Sequence, residues 1–240
     1  MALLEVESLS KRFGGLTANR DVSFAVEQGE LVAIIGPNGA GKSTLFNSLA
    51  CSYAPSSGDI RFDGRSTVGL VPEQVADLGL ARTFQIPRSF GDMTVLENTM
   101  VGALLRHRRI ADARRHAEQV LRSVGLAGRA QERAAALNVA GQKRVELARA
   151  LATGPRLLLL DEVAGGLNPG EAIALAEILR EIHAQGVTLL IVEHVLEVVM
   201  RLAQRVLVLN FGQLIAQGSP QEVVRDPLVI EAYLGSKHRV

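Results

Sequence analysis

GPNGAGKST, from Gly36 to Thr44, is the stretch that most narrows what this chain can fold into. It satisfies G-x-x-x-x-G-K-[ST] at Gly36, Gly41, Lys42 and Ser43. The apolar run LVAIIG (31–36) before it reads as a buried strand, and a helical pattern runs from Lys42 to Ala50 after it. A strand–turn–helix setting turns the pattern into a site. The turn Gly36-Pro37-Asn38-Gly39-Ala40-Gly41, continued by Lys42, Ser43 and Thr44, aims backbone N–H groups at phosphate oxygens. The following helix adds its positive end. Lys42 is placed for the β- and γ-phosphates, and the Ser43 hydroxyl for Mg2+.

LLLLDE, Leu157 to Glu162, supplies the second half of such a site. An acid at the end of a buried parallel strand lies beside a phosphate loop, where Asp161 can hold the metal's water shell. Glu162 follows and can act as base toward an attacking water. Together the two stretches describe a phosphate-loop nucleotidase. VTLLIV (187–192) and RVLVLN (205–210) are further buried runs. Helical patterns lie between the strands at Gln142–Ala152, Glu171–Ala184 and Val195–Gln204, so the expected core is α/β with a parallel sheet. LLEVESLS, DVSFAVEQG and the residues around DIRFDG instead alternate apolar and polar positions, which predicts an N-terminal antiparallel β subdomain.

Other classes are disfavoured. The longest apolar runs fall well short of a membrane span, and the N-terminus lacks the basic start and apolar run of a secretory signal. Cys51 is the single cysteine, so no intrachain disulfide is possible and a reducing compartment is expected; its expected role is packing near a helix end. Net charge is +1, so nothing global points to nucleic acid. The arginine-rich stretch LLRHRRIADARRHAEQVLRSVGL interleaves acids and leucines without aromatics, as a solvated helical face does. These features predict a cytoplasmic chain whose membrane role comes through a partner.

The order of parts resembles the ATP-binding subunits of ABC transporters over essentially the whole chain. KRFGGLTANRDVSF, GLARTFQIPRSFGDMTVLEN, AGGLNP and the tail VIEAYLG are similar to the branched-chain amino-acid transport ATPases of that family. The resemblance implies one ATPase domain over 1–240, with an inserted helical subdomain over about 93–150 and a tail over about 215–240. It implies Phe13 against adenine, Gln85 linking metal and water to a permease contact, and His194 at the γ-phosphate, with Lys42, Gln85, Glu162 and His194 catalytic. Metal ligands would be Ser43, Gln85 and Asp161. ATP and Mg2+ are the implied cofactors. The implied partners are a second ATPase chain, permease subunits at the inner face of the membrane and, indirectly, a solute-binding protein.

The stretch LNVAGQKRVELARAL departs from the family. Leu137 takes the Leu place of the LSGGQ signature, Asn138 the Ser, Val139 and Ala140 the two Gly, and Gly141 the Gln. In a head-to-tail pair, Asn138, Ala140 and Gly141 would complete the partner's ATP site. Asn138 is both a strong N-cap and a potential amide donor. Val163 also replaces the usual proline after the Asp-Glu pair. The altered signature motivates an alternative: an ATP-binding regulatory module of low turnover beside a more active ATPase.

Overall fold

A computed structural model describes residues 2–85 and 89–234 of the chain. Residues 86–88 of the ARTFQIPRSF segment and 235–240 of the expected tail lie outside the described residues.

The alternating N-terminal segments form β1 (Ala2–Phe13) and β2 (Leu16–Glu27), followed by β3 (Leu31–Ile35), α1 (Lys42–Leu49), β4 (Ser57–Phe62) and β5 (Arg65–Ser66). The middle of the chain contains α2 (Pro72–Leu78), β6 (Leu80–Arg82), α3 (Val95–Ala103), α4 (Ile110–Ser123) and α5 (Val139–Leu151). Then come β7 (Leu157–Asp161), α6 (Pro169–Ala184), β8 (Thr188–Val192), α7 (Leu196–Leu202) and β9 (Arg205–Asn210). The last elements are β10 (Gln213–Gly218), α8 (Pro220–Val223) and α9 (Pro227–Leu234).

Two sheets result. One is antiparallel with order β2-β1-β4-β5, and the other has order β10-β9-β3-β8-β7-β6, parallel except for its β10 edge. Every residue of β3, β7 and β8 is buried, which is why these strands read as unbroken apolar runs. Their side chains alternate between two cores. Val32, Ile34, Leu159 and Leu190 pack with Phe46 of α1 and the antiparallel sheet, through Val6, Phe24 and Phe62. Leu31, Ala33, Leu158 and Ile191 pack on the other face with helices α3 to α7.

In α4, Ala113, Ala117, Val120 and Leu121 are buried, while Arg114 and Arg115 pair with Glu118 and Asp112 on the exposed side. Exposed pairs of this spacing contribute only about 0.3–0.5 kcal/mol each, so α4 is held by its apolar stripe. Cys51 sits just past α1, where its thiol donates to the Thr67 carbonyl at 3.4 Å and burial pushes its pKa up.

Some boundaries differ from expectation. α5 begins at Val139 rather than Gln142, because the Asn138 side chain caps it by accepting from the Gly141 N–H at 2.9 Å. α7 is shorter than the pattern Val195–Gln204 suggests. β6 and β10 had no counterpart among the expected strands; one is three residues long, and the other is a half-exposed edge strand joined to β9 by a tight turn at Phe211-Gly212.

Leu159 carries no exposed surface in the centre of β7. Leu159→Ala is therefore expected to cost about 2–5 kcal/mol of stability, measured by denaturant unfolding of the full chain.

Candidate active site

Parallel pairing sets the site's location. β9, β3, β8, β7 and β6 are neighbours running one way, so the residues that follow each of them emerge at one edge of the sheet. Ligands of open α/β sheets bind at that edge. Gly36 follows β3, Glu193 and His194 follow β8, Glu162 follows β7, and Thr83 to Gln85 follow β6.

The turn from Gly36 to Gly41 has little freedom. Gly36 adopts φ +152°, and a Cβ there would run into the Leu209 carbonyl of β9. Gly41 adopts φ +98°, and a Cβ there would overlap the Ala18 carbonyl and the Asn19 amide of β2. The buried Asn19 also donates to the Gly41 carbonyl at 3.2 Å, and Gly212 N–H donates to the Ala40 carbonyl at 2.9 Å. The loop is thus pinned between β2 and the β9–β10 turn.

Asn38, Gly39, Ala40, Gly41, Lys42, Ser43 and Thr44 line a cleft of about 440 Å³, with Glu162 on the facing wall. Leu16 to Ala18 and the Phe211-Gly212 turn complete it. Gly36 and Pro37 do not line it; their carbonyls accept from the Lys42 ammonium at 2.6 and 3.0 Å. Burial lowers the Lys42 pKa, and the charges of Glu162 and Asp161 oppose that shift. A folded-back, partly desolvated ammonium beside exposed Ser43 gains by turning to phosphate oxygens.

Asp161 is buried beneath the cleft, and burial raises its pKa despite Arg82, whose guanidinium lies 3.5 Å away. Its backbone N–H donates to Thr83 Oγ1 at 3.3 Å. Glu162 takes φ +47°, a left-handed conformation that costs a non-glycine residue of order 1–3 kcal/mol. Gln85 Nε2 donates to Glu162 Oε2 at 2.6 Å, and His194 Nδ1 lies 3.8 Å from the same oxygen. The structure therefore brings Lys42, Asp161, Glu162, Gln85 and His194 together. Glu193, beside His194, has no exposed surface; burial raises its pKa, and its carboxylate accepts from Ala164 N–H at 2.8 Å.

Two expected groups lie apart. Phe13 is not on the cleft wall; its ring meets Tyr53 edge-on at 5.6 Å with the Lys11 ammonium 5.0 Å above it. Asn138, Ala140 and Gly141 are also outside this cleft. Ala140 lies inside the first turn of α5, and the Asn138 amide donates to Glu171 of α6 at 3.4 Å. Arg82, Thr83, Glu193 and Lys143, whose ammonium donates to the Glu162 carbonyl at 3.0 Å, were not among the sequence candidates. Only the acid placed directly before His194 offered a signal.

The family model for ABC transporters matches residues 19–165, which include the phosphate loop, Asn138 to Gly141 and the Asp161-Glu162 pair. The chain is a member of the ABC transporter ATPase family. A second model, branched-chain amino acid ATP-binding cassette transporter, matches residues 213–239 of this ABC ATPase. The high-affinity branched-chain amino acid transport ATP-binding protein LivG of Salmonella typhimurium is 40% identical over 249 residues, covering 97% of this chain and 98% of that protein. BraF of Pseudomonas aeruginosa, with the same description, is 40% identical over 250 residues with the same coverage. A nucleotide-free ATP-binding cassette from an ABC transporter superposes with TM-score 0.89 at 32% identity, over 98% of this chain and 100% of that one. An ABC cassette in its ADP conformation matches with TM-score 0.89 at 32% identity, over 98% and 99%.

Because a Cβ at Gly41 would overlap the Ala18 carbonyl, which cannot swing aside, as well as the Asn19 amide, Gly41→Ala in this ABC ATPase should weaken nucleotide binding at least about tenfold. It should also lower stability by more than about 1 kcal/mol. Titration with a fluorescent ATP analogue and thermal unfolding check the two effects.

Proposed function

We propose that this chain hydrolyses ATP to drive uptake of a branched-chain amino acid, or a related small polar solute, through separate permease subunits. The observation that carries the proposal is the Glu162 carboxylate on the wall of the phosphate-loop cleft, with Gln85 and His194 against it. The solute class follows the names of the relatives and the match over residues 213–239.

In this reading, backbone N–H groups from Asn38 to Thr44 and the α1 N-terminus bind the phosphates, and Lys42 leaves its loop carbonyls for the γ-phosphate. Glu162 takes a proton from water as the water oxygen attacks the γ-phosphorus. The bond to the β–γ bridging oxygen breaks, giving ADP and phosphate. Gln85 and His194 orient the water and the γ-phosphate. Among the described residues no three His, Cys, Asp or Glu side chains cluster as metal ligands. The hard oxygens of Ser43, Asp161 and Gln85 suit Mg2+, which characteristically shares its shell with phosphates and water. Bound there, the ion would neutralise charge developing on the phosphates. Phe13 would face adenine once the nucleotide draws the β1–β2 turn over it.

Two chains would close head to tail, Asn138, Ala140 and Gly141 of each facing the other's phosphate loop. Their position outside their own cleft, at the N-terminus of α5, supports this arrangement. Asn138 caps α5 by taking the Gly141 N–H, which leaves the Val139 and Ala140 N–H groups of the first turn to face a phosphate. If the partner differs in sequence, the site on the partner's phosphate loop is the weaker one. No helix among the described residues is long and apolar enough to cross a membrane; the proposed placement, peripheral at the inner face through the permease, follows from the family's transporter role. A solute-binding protein would deliver the solute. The regulatory-module alternative is not favoured, because this chain's own loop, acids and histidine converge.

Glu162→Gln should lower kcat by at least about 100-fold while ATP affinity stays within a few-fold of wild type, measured by phosphate release and nucleotide titration. Asn138→Ser should leave turnover unchanged or raise it; a large fall would mean that the asparagine amide itself is required. Co-purification with permease and binding protein, followed by ligand-stimulated ATPase assays, tests the solute. Absence of any ATP hydrolysis in the assembled complex would end the proposal.

A further inference from the structure

Val163 leaves a problem in the turn after β7. A proline at that place would lock the φ of residue 163 alone and stiffen the turn, without fixing the φ of Glu162. Here Glu162 holds φ +47° without that ring. Something else must keep a strained residue aimed into the cleft.

Two buried side chains grip the turn. The Glu162 carbonyl accepts from Gly165 N–H at 3.1 Å and from the Lys143 ammonium at 3.0 Å. On the far side, Glu193 accepts from the Ala164 N–H at 2.8 Å. Lys143 is only 7% exposed, and the charges of Glu193, Glu146, Glu162 and Asp161 surround it, offsetting part of its burial cost. Lysine is seldom this buried unless paired, and here its bond ends on the backbone of the proposed base. Lys143 also stands on α5, just past the first turn formed by Val139, Ala140 and Gly141.

We infer that Lys143 is a positioning residue for Glu162: its ammonium, reaching from the signature helix, clamps the Glu162 carbonyl and so holds the carboxylate toward Gln85 and the cleft. The same bond makes α5 a link between two sites. The first turn of α5 faces the partner's nucleotide, and its second turn holds this chain's own base. Movement of α5 on closure is transmitted to Glu162 through one hydrogen bond. This inference rests on Glu162 acting as the base.

The test uses the full chain carrying Lys143→Met, Lys143→Arg or Lys143→Gln, assembled as for wild type. Three quantities are read: kcat and KM for ATP, affinity for a fluorescent ATP analogue, and hydrogen exchange of the 162–166 amides without nucleotide. Lys143→Met should lower kcat about 10- to 100-fold with KM and affinity within about threefold, since small misplacement of a reacting group has that cost. Exchange at Gly165 should quicken, and Lys143→Arg should restore kcat to within about threefold of wild type. On the Glu162→Gln background, Lys143→Met should lower kcat no further.

A wild-type kcat in Lys143→Met, or unchanged exchange at Gly165, would overturn the inference. So would Met and Arg variants that both lose nucleotide affinity and melting temperature together, the sign of a purely structural lysine. If the Met variant does not fold, Gln against Arg decides: the inference requires Gln to fall below Arg in kcat at equal ATP affinity. Wild type without turnover would instead sink the role of Glu162, so the two failures are separable.

Discussion

The lack of room for side chains at Gly36 and Gly41 is the constraint on which the rest of the site depends. A carbonyl of β9 stands where a Cβ at the first would go, and the Ala18-Asn19 backbone and amide where one at the second would go. The antiparallel sheet is therefore more than a cover on the core. Through Asn19 it shapes the turn at the start of α1, so phosphate binding and the packing of β2 on the parallel sheet are one geometric problem. The short, buried α1 adds Phe46 to the core beneath the loop, which fixes the direction of its N-terminus.

A parallel sheet turns this local constraint into a site. Because β3, β8, β7 and β6 share one direction, groups from four distant stretches of sequence meet at the same edge. Gln85 and Glu162 are 77 residues apart and within 2.6 Å. The buried aliphatic strands fix that edge, with Arg82 and Asp161 at the ends of β6 and β7, and Glu162 and Glu193 just beyond, their N–H groups still bonded to the neighbouring strands.

Strands whose both faces are buried were readable from sequence, since LVAIIG or LLLLD suits little else. β6 and β10 were not, because three residues or a half-exposed edge carry no pattern that distinguishes them from loop. The phosphate loop was readable because its chemistry is contiguous: one stretch contains the glycines, the lysine and the hydroxyl. Asp161 and Glu162 were readable as a strand end. Lys143 and Arg82 were hidden for the opposite reason. Each is an ordinary basic residue in an ordinary setting, and only the fold brings it to the acids. The position of Phe13 was also out of reach, since its contact with Tyr53 depends on how the β1–β2 turn meets the segment after α1.

The departures at Asn138 and Val163 look alike in sequence, each a lost family residue, but their physical weight differs. Asn138 is itself a strong cap, its side-chain oxygen accepting from the Gly141 N–H, so the start of α5 is held without a hydroxyl. Val163 leaves the turn beside Glu162 without the covalent restraint of a proline ring, and no neighbouring residue can restore one. That restraint has to be rebuilt from noncovalent bonds, and the side chains positioned to do it, Lys143 and Glu193, are charged and buried. Buried charges hold geometry well only while each remains paired, because an orphaned partner carries the full desolvation cost. A turn held this way answers to movement of α5 and of the strand end at Glu193, as a proline-locked turn would not. With Lys143 as a positioning residue, control of the Glu162 carboxylate is shared between the local chain and α5, the helix that carries the lysine.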